Sequence, residues 1–150
     1  MNAGEICNRE TVVARKAMSL GEAARLMREH HVGSLVVVVG RASERVPVGI
    51  LTDRDIAVAV VAKELDPRAL SVGDVMSAEL VSVREQDSIF DALRLMRERG
   101  VRRLPVLTHS GALAGILTLD DLIELAAEQL DGFVRAIGRE RTRETRARPL

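Results

Sequence analysis

Thr52 and Asp55 stand three residues apart in GILTDRDI (49–56), and Thr118 and Asp121 repeat that spacing in GILTLDDL (115–122). In each copy an apolar run precedes the Thr and an amphipathic run follows the Asp, so both pairs are expected at a strand-to-helix junction. A hydroxyl and a carboxylate can do two things there. They can cap the helix, the Thr oxygen accepting from a first-turn N–H while the acid favours the positive end of the dipole. They can also hold a ligand. Free N–H groups at a helix start suit phosphate oxygens, the Thr hydroxyl can reach a phosphate, and a carboxylate can accept from both hydroxyls of a ribose. The two roles are compatible. Gly49 and Gly115, just ahead of each pair, would let a ligand approach the backbone.

Other reactive residues are few. Cys7 is the only cysteine, so no intrachain disulfide or cysteine cage forms, and a reducing, cytoplasmic setting is expected. His30 and His31 are adjacent and point to different sides of a helix, which suits a C-terminal dipole interaction better than chelation. His109 falls in an expected turn. GALAG (111–115) enters a strand, not a helix, and so is no dinucleotide fingerprint. Asp120-Asp121 is a weak metal pair. No Ser/His/Asp, Cys/His or paired-acid arrangement emerges, and the expectation is a protein that is not an enzyme and requires no cofactor or metal.

The bulk composition narrows the partners. The 150 residues carry 22 basic and 22 acidic side chains, so no global field recruits nucleic acid or anionic lipid. Phe90 and Phe133 are the only aromatics, which argues against stacking recognition of single strands. The N-terminus lacks a signal-peptide pattern, and LVVVV (35–39) is far too short to cross a bilayer. The charge balance hides one asymmetry. The last twenty residues hold Arg135, Arg139, Arg141, Arg143, Arg146 and Arg148 against Asp131, Glu140 and Glu144.

The elements that must position the Thr-Asp pairs come from a duplication. An offset of 69 lays GEICN (4–8) on GDVMS (73–77), SLGEAARLMRE (19–29) on SIFDALRLMRE (88–98), and HVGSLVV (31–37) on GVRRLPV (100–106). The offset falls to 66 at the GILT copies, placing the length change between Val39 and Val46, in a surface turn. Each copy reads strand, helix, strand, strand, helix. TVVAR (11–15) and LVSVR (80–84) are short β-branched runs. Leu20, Ala23, Ala24 and Met27 mark one helical face, and Ile89, Ala92, Leu93 and Met96 mark its counterpart. Ser19 and Ser88 look like N-caps. SLVVVV with VPVGILT, and RLPVL with ALAGILT, read as hairpins. The helices DIAVAVVAKEL and DDLIELAAEQLDGFVRAI close the copies. The boundaries are repeat 1 at 4–65, a linker at 66–73, repeat 2 at 74–131, and a helix end with an Arg-rich tail at 132–150.

A doubled β-α-β-β-α unit whose third strand ends in Gly, two apolar residues, Thr and then Asp resembles the cystathionine-β-synthase (CBS) domain pair, or Bateman module, over about residues 4–130. The resemblance implies an α+β sandwich-like fold of tandem repeats with pseudo-two-fold symmetry, plus a C-terminal helical extension. It implies that Thr52, Asp55, Thr118 and Asp121 hold the phosphate and ribose of an adenosine nucleotide such as AMP, ADP, ATP, NAD or S-adenosylmethionine. Val12, Val81, Ile50 and Ile116 would wall the adenine, since no aromatic is available. Arg102 and Arg103 match positions where similar proteins face the ligand with basic residues, which suits phosphate. Gly33 and Ser34 take those places in repeat 1, leaving one phosphate site poorer, and Arg54 could compensate. The resemblance also implies a flat homodimer, with faces of 19–30, 53–64, 88–99 and 120–131 available for association.

Two rival expectations stand beside the sensor. A structural or interaction module would use Thr-x-x-Asp only as caps. Nucleic-acid contact through the Arg-rich tail is weighed against a solvated helix end with Arg-Glu pairing.

Overall fold

The computed structural model describes residues 1–148; Pro149 and Leu150, the end of the expected tail, lie outside the described residues. Two three-stranded sheets carry the two repeats. In the first, β1 (Val13–Ala14) runs parallel to β2 (Ser34–Val39), which pairs antiparallel with β3 (Val46–Thr52). In the second, β4 (Val83–Arg84) runs parallel to β5 (Arg103–Leu107), antiparallel in turn to β6 (Leu113–Thr118). Each parallel pair is joined through a helix, α2 (Leu20–His30) or α5 (Ile89–Arg99). Both hairpins carry a bulge at the same place, between Val37 and Val38 and between Val106 and Leu107. The expected length change falls in an exposed 3₁₀ turn, Ala42–Glu44.

Packing follows the two periodicities. Leu35, Val37 and Leu51 meet Leu20, Ala23 and Met27 of α2 in one core, and Leu104, Val106 and Leu117 meet Ala92 and Met96 of α5 in the other. Successive strand side chains point to opposite faces. Val36, Val38 and Pro105, outside both of these clusters, are fully buried as well. Each large apolar side chain so buried contributes about 1.5–3 kcal/mol.

The closing segments exchange partners. Before β1, α1 (Ala3–Ile6) places Ala3 and Cys7 in the core of repeat 2, and α4 (Val72–Val75) places Val72 in the core of repeat 1. Hydrogen bonds match across the 69-residue offset. Ala3 N–H donates to Asp87 O as Val72 N–H does to Met18 O, both at 2.8 Å, and Asn8 and Ser77 each exchange two bonds with Ile116 and Ile50. Packing therefore crosses the division drawn at 66–73.

The helices after each Thr-Asp pair differ from expectation. The eleven-residue helix read in DIAVAVVAKEL is one turn, α3 (Asp53–Ile56), followed by a π-helical stretch over Ala57–Val61 with Ala62 N–H donating to Ala57 O. Its counterpart, α6 (Leu119–Ala147), runs 29 residues without a break at the expected 131–132 boundary. It is exposed from 126 onward, so the tail is an ordered helix projecting from the body. Among the described residues no helix is long and apolar enough to span a membrane.

Candidate functional site

Both Thr-Asp pairs form complete capping boxes. Asp55 N–H donates to Thr52 Oγ1 at 3.1 Å while Thr52 N–H donates to Asp55 Oδ2 at 2.8 Å. Thr118 and Asp121 repeat this at 3.2 and 2.7 Å. The Thr118 hydroxyl also donates to Asp121 Oδ2 at 2.7 Å. All four residues are half-buried, so capping leaves them beside open space.

For the first pair that space is a cleft of about 460 Å³, within the range of small-ligand sites. Repeat 1 supplies Ile50, Thr52, Asp53, Arg54 and Asp55, and repeat 2 supplies Val81, Val101, Arg102 and Arg103. Ser77, Glu79, Leu80 and Gly100 complete the lining. The structure thus gathers Ile50, Thr52, Arg54, Asp55, Val81, Arg102 and Arg103 in one place. The lining combines aliphatic side chains with three arginines, a hydroxyl and carboxylates. That combination accommodates an apolar ring, a vicinal diol and an anion in one ligand.

Val12, Ile116, Thr118 and Asp121 belong to the pseudo-symmetric position. Val12 packs against the first core, and Ile116 is bridged to Asn8. Arg102 also reaches toward this side, its Nη2 3.6 Å from Asp120 Oδ1, with both groups exposed.

Two expectations are corrected. Gly49 and Gly115 do not admit a ligand, because the exchanged segments cover them. A β-carbon on Gly49 would lie 2.6 Å from the Ser77 carbonyl oxygen, and one on Gly115 would lie 2.6 Å from that of Asn8. Arg54 does not compensate the cleft left poorer by Gly33 and Ser34; it lines the same cleft as Arg102 and Arg103. Sequence reading missed Asp53, Ser77, Glu79, Leu80, Gly100 and Val101. Asp53 was visible inside TDRD, and the 100–103 run was visible as the segment preceding RLPVL. What was hidden is that the residues from 77 to 101 line the cleft at the Thr-Asp pair of the other repeat.

Burial pushes the Cys7 thiol pKa up. Hydrogen bonds from Arg68 hold Asp66 below the usual carboxylate range, and the Ser71 N–H does the same for Asp74. Among the described residues no three His, Cys, Asp or Glu side chains cluster as metal ligands.

The CBS domain family matches residues 3–62 and 72–128. Hypoxic response protein 1 of Mycobacterium tuberculosis is 36% identical over 140 residues, covering 91% of this chain and 90% of that protein. An uncharacterized protein of Methanopyrus kandleri is 34% identical over 125 residues, 83% of this chain but only 62% of the relative's length. Among solved structures, a protein with CBS domains from Burkholderia ambifaria MC40-6 superposes with TM-score 0.75 at 30% identity, covering 84% of this chain and 93% of that one. The cytosolic domain of the Mg²⁺ channel MgtE in complex with ATP superposes with TM-score 0.69 at 29% identity, covering 83% and 48%.

Proposed function

The chain belongs to the CBS domain family, and from that premise we propose that it is a non-catalytic sensor module holding an adenosine nucleotide between its repeats. The observation that carries this is the cleft at Thr52–Asp55, where hydroxyl, acid, aliphatic walls and three arginines converge. The Asp55 carboxylate takes the ribose diol, Ile50 and Val81 flank the base, and the arginines take phosphate. No cofactor is required. The ATP complex of the 29%-identical channel domain supports the ligand class. Because the walls come from both repeats, a bound nucleotide favours one repeat-to-repeat geometry and shifts the population toward it. The module is expected to act as a homodimer on a partner protein.

A thermal-shift titration with AMP, ADP, ATP, NAD and S-adenosylmethionine tests this. Ligand at a hundred times its dissociation constant stabilises by about 2.7 kcal/mol, a rise of roughly 5–11 °C for a chain of this size. Asp55→Ala should abolish most of the rise for the ligand that binds. No rise with any of the five would overturn the reading.

A second reading has its own observation. The capping boxes are complete without a ligand, as a purely structural or interaction module requires. In that case Asp55→Ala costs about 0.3–1 kcal/mol of stability as a lost capping-box acid at the positive end of the helix dipole, while nucleotides change nothing.

A further inference from the structure

The cleft at Thr52–Asp55 and the pseudo-symmetric position at Thr118–Asp121 share one plan but not one charge, and we propose that a phosphorylated nucleotide is accepted only at Thr52–Asp55, one per chain. This deepens the nucleotide reading and rests on it.

Arg54, Arg102 and Arg103 line the first cleft. The 66-residue offset puts Asp120 where Arg54 stands, and the 69-residue offset puts Gly33 and Ser34 where Arg102 and Arg103 stand. Every guanidinium position of one cleft is therefore an acid, a bare backbone or a hydroxyl in the other. Gly33 is more than a missing side chain. Arg103 Nη2 comes within 3.3 Å of where its β-carbon would be, beside Asp53 Oδ2 at 3.2 Å. The absence of a side chain in repeat 1 thus makes room for an arginine of repeat 2, on the side of the first cleft. Arg102, at 3.6 Å from Asp120, is divided between the two positions, which leaves Arg54 and Arg103 to the first cleft alone.

The hydroxyls differ in the same sense. The Thr118 proton is donated inward to Asp121 Oδ2. Among the described residues Thr52 Oγ1 only accepts, from Asp55 N–H, so its proton is available to a phosphate oxygen. The counterparts of Asp53, Arg54, Asp55 and Glu79 at the second position are Leu119, Asp120, Asp121 and Glu10. Its only basic counterpart is His31, an imidazole in place of Gly100. A dianionic phosphate meets three acids there and no arginine at those positions, whereas the three acids of the first cleft are balanced by three arginines that can donate to it.

Calorimetric titration of AMP and of adenosine into the wild type, Arg103→Gln and Ser34→Arg tests the proposal. The wild type should take one AMP per chain. In Arg103→Gln the ratio of AMP to adenosine affinity should fall at least ~10-fold, the order expected for one charge-assisted hydrogen bond. Ser34→Arg should raise the AMP stoichiometry toward two; should that variant fail to fold, the Arg103→Gln ratio decides alone. Two equal AMP sites in the wild type, or an unchanged ratio in Arg103→Gln, would overturn the proposal while leaving nucleotide binding standing. Failure of both AMP and adenosine to bind the wild type removes the reading beneath it.

Discussion

At Gly49 and Gly115 a single hydrogen decides whether two segments can cross. The chain passes so close that a methyl group on either would sit 2.6 Å from a carbonyl oxygen, and backbone must move to admit it. Gly49→Ala and Gly115→Ala should each lower the unfolding free energy by about 1–3 kcal/mol in a denaturant titration, the usual cost of overpacking. Gly132→Ala is the opposite case. It lies inside α6 with nothing within 4 Å, and the substitution should stabilise by up to ~1 kcal/mol. Cys7 sits in the same crossing, its sulfur 2.7 Å from the position of that absent methyl on Gly115. Burial raises its pKa, so the neutral thiol favours the folded state. That contribution is present below the ordinary thiol pKa of about 8.5 and is lost as pH rises through the folded value. A thiol reagent at pH 8 should label the native protein far more slowly than the unfolded one; equal rates would show that the segment is open.

At the scale of elements, α1 and α4 are each the missing piece of the other repeat. Deleting residues 1–9 removes Ala3 and Cys7 from the second core, with Ile6 beside them. On the order of 3 kcal/mol should be lost by area alone, and hydrogen exchange should rise first in β6. This exchange marks the limit of what the residues disclose. The duplication, the hairpins and the Ser19 and Ser88 caps were legible because offset, alternation and capping types are local signals. Which repeat a segment packs against is not local. GEICN and GDVMS align perfectly well without revealing that each lies on the other's sheet. The same blindness hid the site: Arg102 and Arg103 were visible as candidates, but not that they line the cleft at Thr52 although Arg103 is paired with Thr118 in its own hairpin. The π-helical stretch over Ala57–Val61 was missed because its apolar spacing also fits an ordinary helix.

For the whole molecule, the apolar surface left outside is concentrated on helices. Phe90 and Leu93 are exposed on α5, Val58 and Val61 after α3, and Ile123, Leu130, Phe133, Val134 and Ile137 along α6. Among the described residues α2 offers no comparable side chain. Sedimentation equilibrium should find a dimer, and Phe90→Glu or Ile123→Glu should weaken it at least ~10-fold, since each buried apolar side chain contributes about 1.5–3 kcal/mol. A monomer at all concentrations would instead leave these faces to a different protein.

The traded segments also set an order of events at the ribosome. A nascent chain that has emerged only through Leu65 holds every strand of its first sheet, yet Val72, which completes that core, is still in the exit tunnel. The residues that close the second core, Ala3 and Cys7, by contrast emerge well before it and must wait, unsheltered, until β6 arrives more than a hundred residues later. Translation speed across that interval therefore governs how long an unfinished chain is open to capture by a neighbour on the same message.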